Sequence, residues 1–253
     1  MTEWVWEPDA FAALWYSEGI DRFPRPLRFL SKYQTRDAYD AHRARVLAAL
    51  DEEQRELIRL AFHTLTEGQL RIEIRGGSTA TDRGAIREYR VVGACTTDYG
   101  MALAQSTVDD IDGPVHGRLF PAEQLPRRLA RLLPACPAGA QPAATFAVRD
   151  LNSRSAPEHY SRRSPREQYE ALTRRPIDGG GNARLLVGHI LERPAPWYSM
   201  QWVDVTGDGR YLRHRTSEHI DIRPVVAADF AAGFTTWIDH ARGRLRADES
   251  STW

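Results

Sequence analysis

The residues of this chain that could do chemistry are eight histidines, two cysteines and a short acidic run, and they form no familiar catalytic motif. There is no Gly-x-Ser-x-Gly elbow, phosphate-binding Gly/Lys loop, His-Glu-x-x-His helix or Cys-x-x-Cys pair. Cys95 and Cys136 lie too far apart for a metal-binding pair, and Cys95 is interpreted as a small buried hydrophobe. The sequence therefore predicts no catalytic residue, no metal site and no cofactor.

One acidic run, Asp109-Asp110-Ile111-Asp112-Gly113, resembles the start of a calcium-binding loop. The acidic ligand expected at the twelfth position of such a loop is missing, and no flanking helices fit. A tight acidic hairpin turn is the better interpretation.

An enzyme or small-molecule binder is kept as the alternative, with its pocket at the sheet interface. The polar groups that motivate it are His189, Tyr198 and His219, all within predicted strands of the second half. A pocket that collects these side chains and perturbs their titration would favour it. Because His189 lies in an apolar stretch, a hydrogen-bonded core histidine is the simpler interpretation.

The basic stretch 154–175 suggests nucleic-acid binding, because its Tyr160 and Tyr169 rings could stack on bases. Glu158, Glu167 and Glu170 are mixed into the same stretch, and the whole chain has a formal net charge of +0. We therefore expect no nucleic-acid partner.

The N-terminus carries Glu3, Glu7 and Asp9 and lacks the apolar core of a signal peptide. No run approaches the roughly 18 apolar residues of a membrane helix. We expect a cytoplasmic protein without membrane insertion. Its basic residues are all arginine except Lys32, and arginine favours planar, bidentate contact with carboxylates.

The elements that would position any site follow from periodicity and capping signals. In the first half we predict a short strand at 4–6, helices beginning at Pro8, Thr35 and Asp51, strands at 70–75, 88–95, 99–108 and 115–120, a polar loop at 76–84, and a helix from Pro121 to Pro134. In the second half we predict a strand at 145–151, a capped helix at 165–173, a flexible triple-glycine turn at 179–181, strands at 184–192, 197–206, 210–215 and 219–225, and a helix from 227 to about 244.

The second half repeats the plan of the first, since each has a strand, a hairpin, further strands and a closing amphipathic helix. Gly93 and Gly188 occupy matching apolar strands, and the two closing helices carry apolar residues in the same phase, namely Leu125, Leu129, Leu132 and Leu133 against Phe230, Phe234, Trp237 and Ile238. We predict an α+β fold with a central antiparallel sheet, helices packed around it and a quasi-two-fold internal repeat. The halves are about 1–134 and 145–246, with a hinge at 135–144 and a frayed tail at 247–253.

The ordered motifs resemble the EspG family, the secretion-associated chaperones of the ESX (type VII) system of actinobacteria. Four stretches carry this resemblance along nearly the whole chain: Phe11-Ala-Ala-Leu-Trp15 followed by Pro24-x-Pro-Leu27; residues 65–76 with Ile72-Glu-Ile-Arg-Gly76; Tyr89-Arg-Val-Val92; and Gly179-Gly-Gly-Asn182 through Trp202-Val-Asp204, Asp208-Gly-Arg-Tyr-Leu212 and Ala227-Ala-Asp-Phe230.

This resemblance implies one α+β domain over residues 1–253 and a non-enzymatic role. Family members bind PE–PPE heterodimers in the cytosol, chiefly through the PPE protein, and keep them soluble for secretion. In the family the loop after the strand equivalent to 70–75 helps to grip the PPE protein, and here that loop is fairly short. We predict partner contacts from this loop and its shoulders, with residues 179–184 as a weaker second candidate; a homodimer is left open. The predicted contact residues are Arg75, Gly76, Gly77, Ser78, Thr79, Thr81, Asp82, Arg83 and Arg87.

Overall fold

The computed structural model describes residues 2–79, 85–152 and 164–250. The strands are β1 (Thr2–Trp6), β2 (Leu70–Ser78), β3 (Arg87–Cys95), β4 (Tyr99–Val108), β5 (Ile111–Pro121), β6 (Ala144–Ala147), β7 (Ile177–Val187), β8 (Tyr198–Val205), β9 (Gly209–Arg215) and β10 (His219–Pro224). The helices are α1 (Pro8–Trp15), α2 (Arg36–Ala48), α3 (Glu52–Glu67), α4 (Leu125–Ala130), α5 (Val148–Asn152), α6 (Pro165–Thr173) and α7 (Ala227–Ser250), and a 3₁₀ turn at Ala122–Gln124 precedes α4.

All these strands form one antiparallel sheet in the order β1-β5-β4-β3-β2-β7-β8-β9-β10-β6. The predicted α+β class with a central antiparallel sheet is confirmed. In the middle, β2 pairs with β7 from Leu70↔Val187 to Ser78↔Gly179, so the two halves of the chain are joined by main-chain hydrogen bonds. No helix among the described residues combines the length and apolarity needed to span a membrane.

On each side of the central β2–β7 pair, the next three strands follow one another in chain order from the centre to the edge. On one side come β3, β4 and β5, then the edge strand β1; on the other come β8, β9 and β10, then the edge strand β6. Each edge strand precedes the helices of its half in the chain. This order agrees with the plan predicted from the sequence, while the internal repeat itself stays a prediction.

One face of the sheet is covered by the two closing helices, α4 and α7, which also contact each other. Leu125 and Leu129 of α4 and Phe230, Phe234 and Ile238 of α7 are buried in one cluster with residues from β2, β3, β7 and β8. These helices bury the apolar spacing that the sequence predicted. We call this side the closing-helix face.

The opposite face carries two separate helical layers. Phe11, Trp15 and Leu65 of α1 and α3 are buried against the strands of the first half. On the other flank, Tyr169 and Leu172 of α6 pack beside the buried cluster of β6, β8, β9 and β10. The central strands lie between these layers, and we call this side the open face.

Local capping signals fix the helix starts as predicted. The Thr35 side chain accepts a hydrogen bond from the Ala38 amide, and Asp51 and Ser164 each form a reciprocal capping box with the residue three positions on. Such signals depend on neighbours in the chain alone, which is why the sequence was sufficient to find them.

The loops predicted at the glycine-rich stretches 76–84 and 179–181 are wrong in part, because several of these residues belong to strands. Gly76, Gly77 and Ser78 belong to β2 and pair with both β3 and β7. The triple glycine 179–181 lies within β7. Glycine is a common turn signal, but main-chain pairing on both sides of a strand needs no side chain.

Further boundaries differ from the predictions: α4 ends at Ala130 instead of Pro134, and β5 begins at Ile111 instead of Val115. β6 ends at Ala147 and a short helix follows, so the predicted strand at 145–151 is only half strand. β7 ends at Val187, before His189. The last helix continues to Ser250, beyond the predicted end near 244 and into the predicted tail.

The connector 135–144, predicted as a hinge, is bonded to the second half along β9. The Arg210 amide donates to the Pro137 carbonyl (2.8 Å) and the Gly139 amide donates to the Arg210 carbonyl (3.1 Å). The Gln141 amide donates to the Tyr211 hydroxyl at 2.8 Å. These bonds hold the connector against the sheet.

Candidate partner-binding surface

The open face exposes polar side chains of the central strands. Because side chains alternate along a strand and Ile72 and Ile74 point into the closing-helix core, Arg75 of β2 points to the open face. By the same alternation Asn182 and Arg184 of β7 lie on this side, since Ala183 is buried in that core. Arg75 and Arg184 are exposed. The middle of the sheet is therefore available to a partner on this face.

A cavity of about 400 Å³ opens beside Arg75, and its walls include Arg25 and Arg28 from the segment between α1 and α2. We define Arg25, Arg28, Arg75 and Arg184 as the arginine groove. Among the described residues, these four guanidinium groups make no hydrogen bond or ion pair. Positive charge therefore accumulates here without direct neutralisation.

The carboxylates near the groove are engaged by other arginines. Glu73 pairs with the buried Arg71 at 3.2 Å. Glu88 pairs with the buried Arg90, and Asp112 contacts Arg90 at 3.1 Å. The acidic groups thus balance two buried charges, and the groove arginines remain in excess.

Electrostatics around Arg75 reflect this excess. Partial burial lowers the pKa of the Arg75 guanidinium, and the charges of Arg25, Arg184 and Arg90 lower that pKa further, whereas Glu73 acts in the opposite direction. A like-charge cluster disfavours its own charged state. An anion bound among these groups would relieve the repulsion.

Gln105 of β4 holds the groove wall in place. This buried amide accepts a hydrogen bond from the Arg28 amide at 2.8 Å. It also donates to the Arg28 carbonyl (3.0 Å) and to the Gly113 carbonyl (3.2 Å). Nearby, Ser31 donates to Asp9 of α1 at 2.6 Å. The segment with Arg25 and Arg28 is thereby fixed on the sheet.

A glycine seam across β2 and β7 lets aromatic rings lie flat against the closing-helix face. A Cβ at Gly76 would come within 2.2 Å of the Tyr89 hydroxyl, and one at Gly181 within 2.6 Å of the Trp202 ring. The Tyr89 hydroxyl donates to the Gly180 carbonyl at 3.2 Å. Burial raises the pKa of Tyr89 to about 12. These glycines serve packing on the side away from the open face.

Apolar side chains stand at the end of the sheet where β2 finishes and β3 begins. Ile86 is 62% exposed and Ile177 is 60% exposed, an unusual fraction for isoleucine. A Cβ at Gly77 would lie 3.3 Å from the Ile86 side chain, so Ile86 sits beside the central strand. The surface thus combines cationic and apolar groups.

The predicted contact residues fall into three groups. Arg75 and Arg87 are exposed on the central strands, and Thr79 follows β2 with its amide donating to the Asp178 carbonyl at 2.7 Å. Gly76 and Ser78 lie within β2 on the closing-helix side, so the loop predicted there is wrong, and their contact with a partner stays a prediction. Thr81, Asp82 and Arg83 lie outside the described residues and stay predictions.

The alternative pocket is not assembled by the described residues. His189 is exposed in the turn after β7 and accepts a hydrogen bond from the Leu191 amide at 3.3 Å, so the buried-strand interpretation of His189 is wrong. His219 is exposed at the start of β10. Tyr198 stacks on Trp237 with ring centroids 5.9 Å apart. These side chains do not converge.

The basic stretch is internally balanced where it is described. Arg166 and Arg174 each contact Glu170 at 3.0 Å, and Arg175 contacts Asp208 at 2.6 Å. Tyr169 packs on Phe146 and accepts a hydrogen bond from Arg213 at 2.7 Å, so its ring is occupied. The predicted Tyr160 lies outside the described residues.

Arg25, Arg28 and Ile86 were missed by sequence reasoning. Arg25 lies within the Pro24-x-Pro-Leu27 motif and Arg28 directly follows it, and tertiary packing brings both beside Arg75 of β2. A usable signal existed in Gln105, because a buried amide in an apolar strand must find partners.

The chain is similar to known proteins in sequence and in fold. The model of the EspG family matches residues 7–233. No curated protein matches the chain. Among solved structures, the chain is similar to the Mycobacterium tuberculosis type VII secretion system chaperone EspG5, solved in complex with a PE25-PPE41 dimer. The identity is 11%, the match covers 94% of this chain and 96% of that chain, and the TM-score is 0.58. At this identity the likeness shows a shared fold.

Proposed function

This chain belongs to the EspG family, and from this premise we propose that it is a cytosolic, non-enzymatic chaperone. Its clients are PE–PPE heterodimers, bound chiefly through the PPE protein and kept soluble for type VII secretion. The observation that carries the proposal is the family match over residues 7–233. The similar fold of a chaperone solved with a PE–PPE dimer supports it.

The contact surface we propose is the open face at the β2–β3 end of the sheet. Arg75 supplies charge there, and Ile86 supplies apolar area. Burying apolar surface contributes roughly 25 cal/mol per Å² before association costs are subtracted. Arginines at the rim add orientation and partner choice more than affinity.

Co-expression with PE–PPE pairs from the same genome tests the proposal. A client pair should co-elute with the chaperone in size-exclusion chromatography, and its soluble fraction should rise. The control is the same pair expressed with the variant Ile86→Asp, which keeps the fold because Ile86 is exposed, and which should recover less complex. If every pair elutes alone and none gains solubility, the proposed function is wrong.

A further inference from the structure

The arginine groove has more positive charge than its surroundings need. Glu73, Glu88 and Asp112 are paired with the buried Arg71 and Arg90. Arg25, Arg28, Arg75 and Arg184 lie beside one another on the open face without such a partner among the described residues. Folding alone gains nothing from gathering like charges. An arrangement of this kind is better explained by a ligand that brings negative charge.

Buried hydrogen bonds hold the main chain of the groove in place. One wall is fixed by the Gln105 amide, which bonds both the amide and the carbonyl of Arg28. The cavity is floored by β2 and β3. Arg184 lies beside it on β7, two residues from Asn182, the pairing partner of Arg75. Guanidinium groups held at fixed positions match planar carboxylates with two parallel hydrogen bonds.

The ligand should also offer apolar surface. Ile86 and Ile177 are exposed at the end of the same central strands. A highly charged small anion would leave these side chains in water. A protein segment with acidic and apolar residues side by side would cover both features at once.

We propose that the arginine groove binds the carboxylates of an acidic segment in the client, with an apolar residue of that segment against Ile86. This rests on the proposed function for the identity of the client. It adds the chemistry of recognition: two or more Asp or Glu side chains must face Arg75 and Arg184.

A nucleic acid is the less favoured ligand for the same charges. A phosphate backbone has no apolar side chain to cover Ile86 and Ile177. The chain as a whole has a formal net charge of +0, which provides no attraction at long range.

The first test is the affinity of the double variant Arg75→Glu/Arg184→Glu for a PE–PPE pair that co-elutes with the wild type. We expect binding to weaken about 100-fold, since each charge-assisted contact contributes about a tenfold factor or more. The matched control is Arg223→Glu, an exposed arginine on β10 away from the groove. Equal affinities of the double variant and the control would overturn the inference.

The dependence of client affinity on salt concentration is a second test of the same contact. The wild-type affinity should fall as ionic strength rises, and the variant Arg75→Gln/Arg184→Gln should show a flatter dependence. Parallel salt dependences would overturn the inference. Because the neutral variant also removes like-charge repulsion, its Tm should equal or exceed that of the wild type.

A client-free measurement separates this inference from the proposed function. Citrate, a tricarboxylate, should raise the Tm of the wild type more than that of Arg75→Gln/Arg184→Gln, relative to sodium chloride at matched ionic strength. If citrate stabilises only the wild type while no PE–PPE pair co-elutes, the carboxylate site stands and the proposed function fails. If a pair binds the wild type and the double charge reversal equally, the function stands and this site fails. Binding of single-stranded DNA that depends on the same arginines would also overturn the assignment.

Discussion

Arginine has two distinct roles in this protein, and burial separates them. Arg210 is 2% exposed, and its guanidinium donates to both carboxylate oxygens of Asp204, at 2.6 and 2.8 Å, and to the Pro134 carbonyl at 3.0 Å. Arg71 is equally enclosed and donates to three carbonyls after β7. These groups stabilise the fold. The exposed arginines of the groove are left for a partner.

The Asp204–Arg210 pair gives a direct test of the structural role. Asp204→Asn should destabilise the fold by about 3 kcal/mol, because removing one partner leaves a buried, uncompensated guanidinium. Urea denaturation followed by circular dichroism measures this change. The control Glu3→Gln removes the half-exposed pair with Arg118 and should cost less than about 1 kcal/mol. Similar costs for the two variants would contradict the assigned burial.

The glycine seam yields a second residue-scale prediction. Gly76→Val should destabilise by about 1–3 kcal/mol or prevent folding, because its Cβ would overlap the Tyr89 ring. Gly77→Ala is the control on the neighbouring residue, where a Cβ would lie 3.3 Å from the Ile86 side chain and 3.8 Å from the Arg87 carbonyl, without overlap. Thermal denaturation of the two variants compares them. A Tm of Gly76→Val equal to that of Gly77→Ala would show that the seam does not pack as described.

At the scale of elements, the groove depends on a segment without regular secondary structure. Residues between α1 and α2 cross the open face, and Gln105 binds them through both main-chain groups of Arg28. The strand β4 that carries Gln105 is flanked by β3 and β5 and cannot move independently. The sheet therefore fixes the main chain that carries Arg25 and Arg28.

Gln105→Ala should lower stability by about 1–3 kcal/mol, since the Arg28 amide and carbonyl lose their buried partners. It should also weaken client binding although Gln105 itself is buried, because Arg25 and Arg28 lose their fixed position. Gln141→Ala, an exposed glutamine in the connector, is the control and should leave both quantities unchanged. Client affinity that is unaffected by Gln105→Ala would remove this segment from the site.

The sequence predicted those elements whose signals are local. The helix starts at Thr35, Asp51 and Ser164 follow from capping residues within three positions. It failed at Gly76 and in residues 179–181, because the pairing that makes them strands comes from a segment about a hundred residues away. The candidate site divides in the same way: the sequence predicts a contact at Arg75 because it precedes a polar stretch, whereas Arg25 and Arg28 reach the groove only through tertiary contacts.

At the scale of the whole molecule, the halves cannot be separated without breaking the sheet. β2 and β7 pair over nine residues on each strand. The core under α4 and α7 contains Leu125 and Leu129 from one half and Phe230 and Phe234 from the other. Such shared burial favours one cooperative unit.

We expect a single unfolding transition in urea. Trp15 and Trp202 are fully buried reporters in the first and second halves. Fluorescence of single-tryptophan variants that retain one or the other should give the same midpoint as circular dichroism at 222 nm, a wavelength that reports helix content. Separate midpoints for the two reporters would indicate two independently folding bodies.

Site-specific photo-cross-linking of this protein in complex with a co-eluting PE–PPE pair would locate the client on the sheet. A benzophenone amino acid at Ile86, 62% exposed at the β2–β3 end of the open face, should cross-link to the PPE subunit. The same group at Val5, 65% exposed on the edge strand β1, should give no such product. Cross-links from Val5 alone, or none from Ile86 in an intact complex, would contradict the claim that the client is bound on the open face at the centre of the sheet.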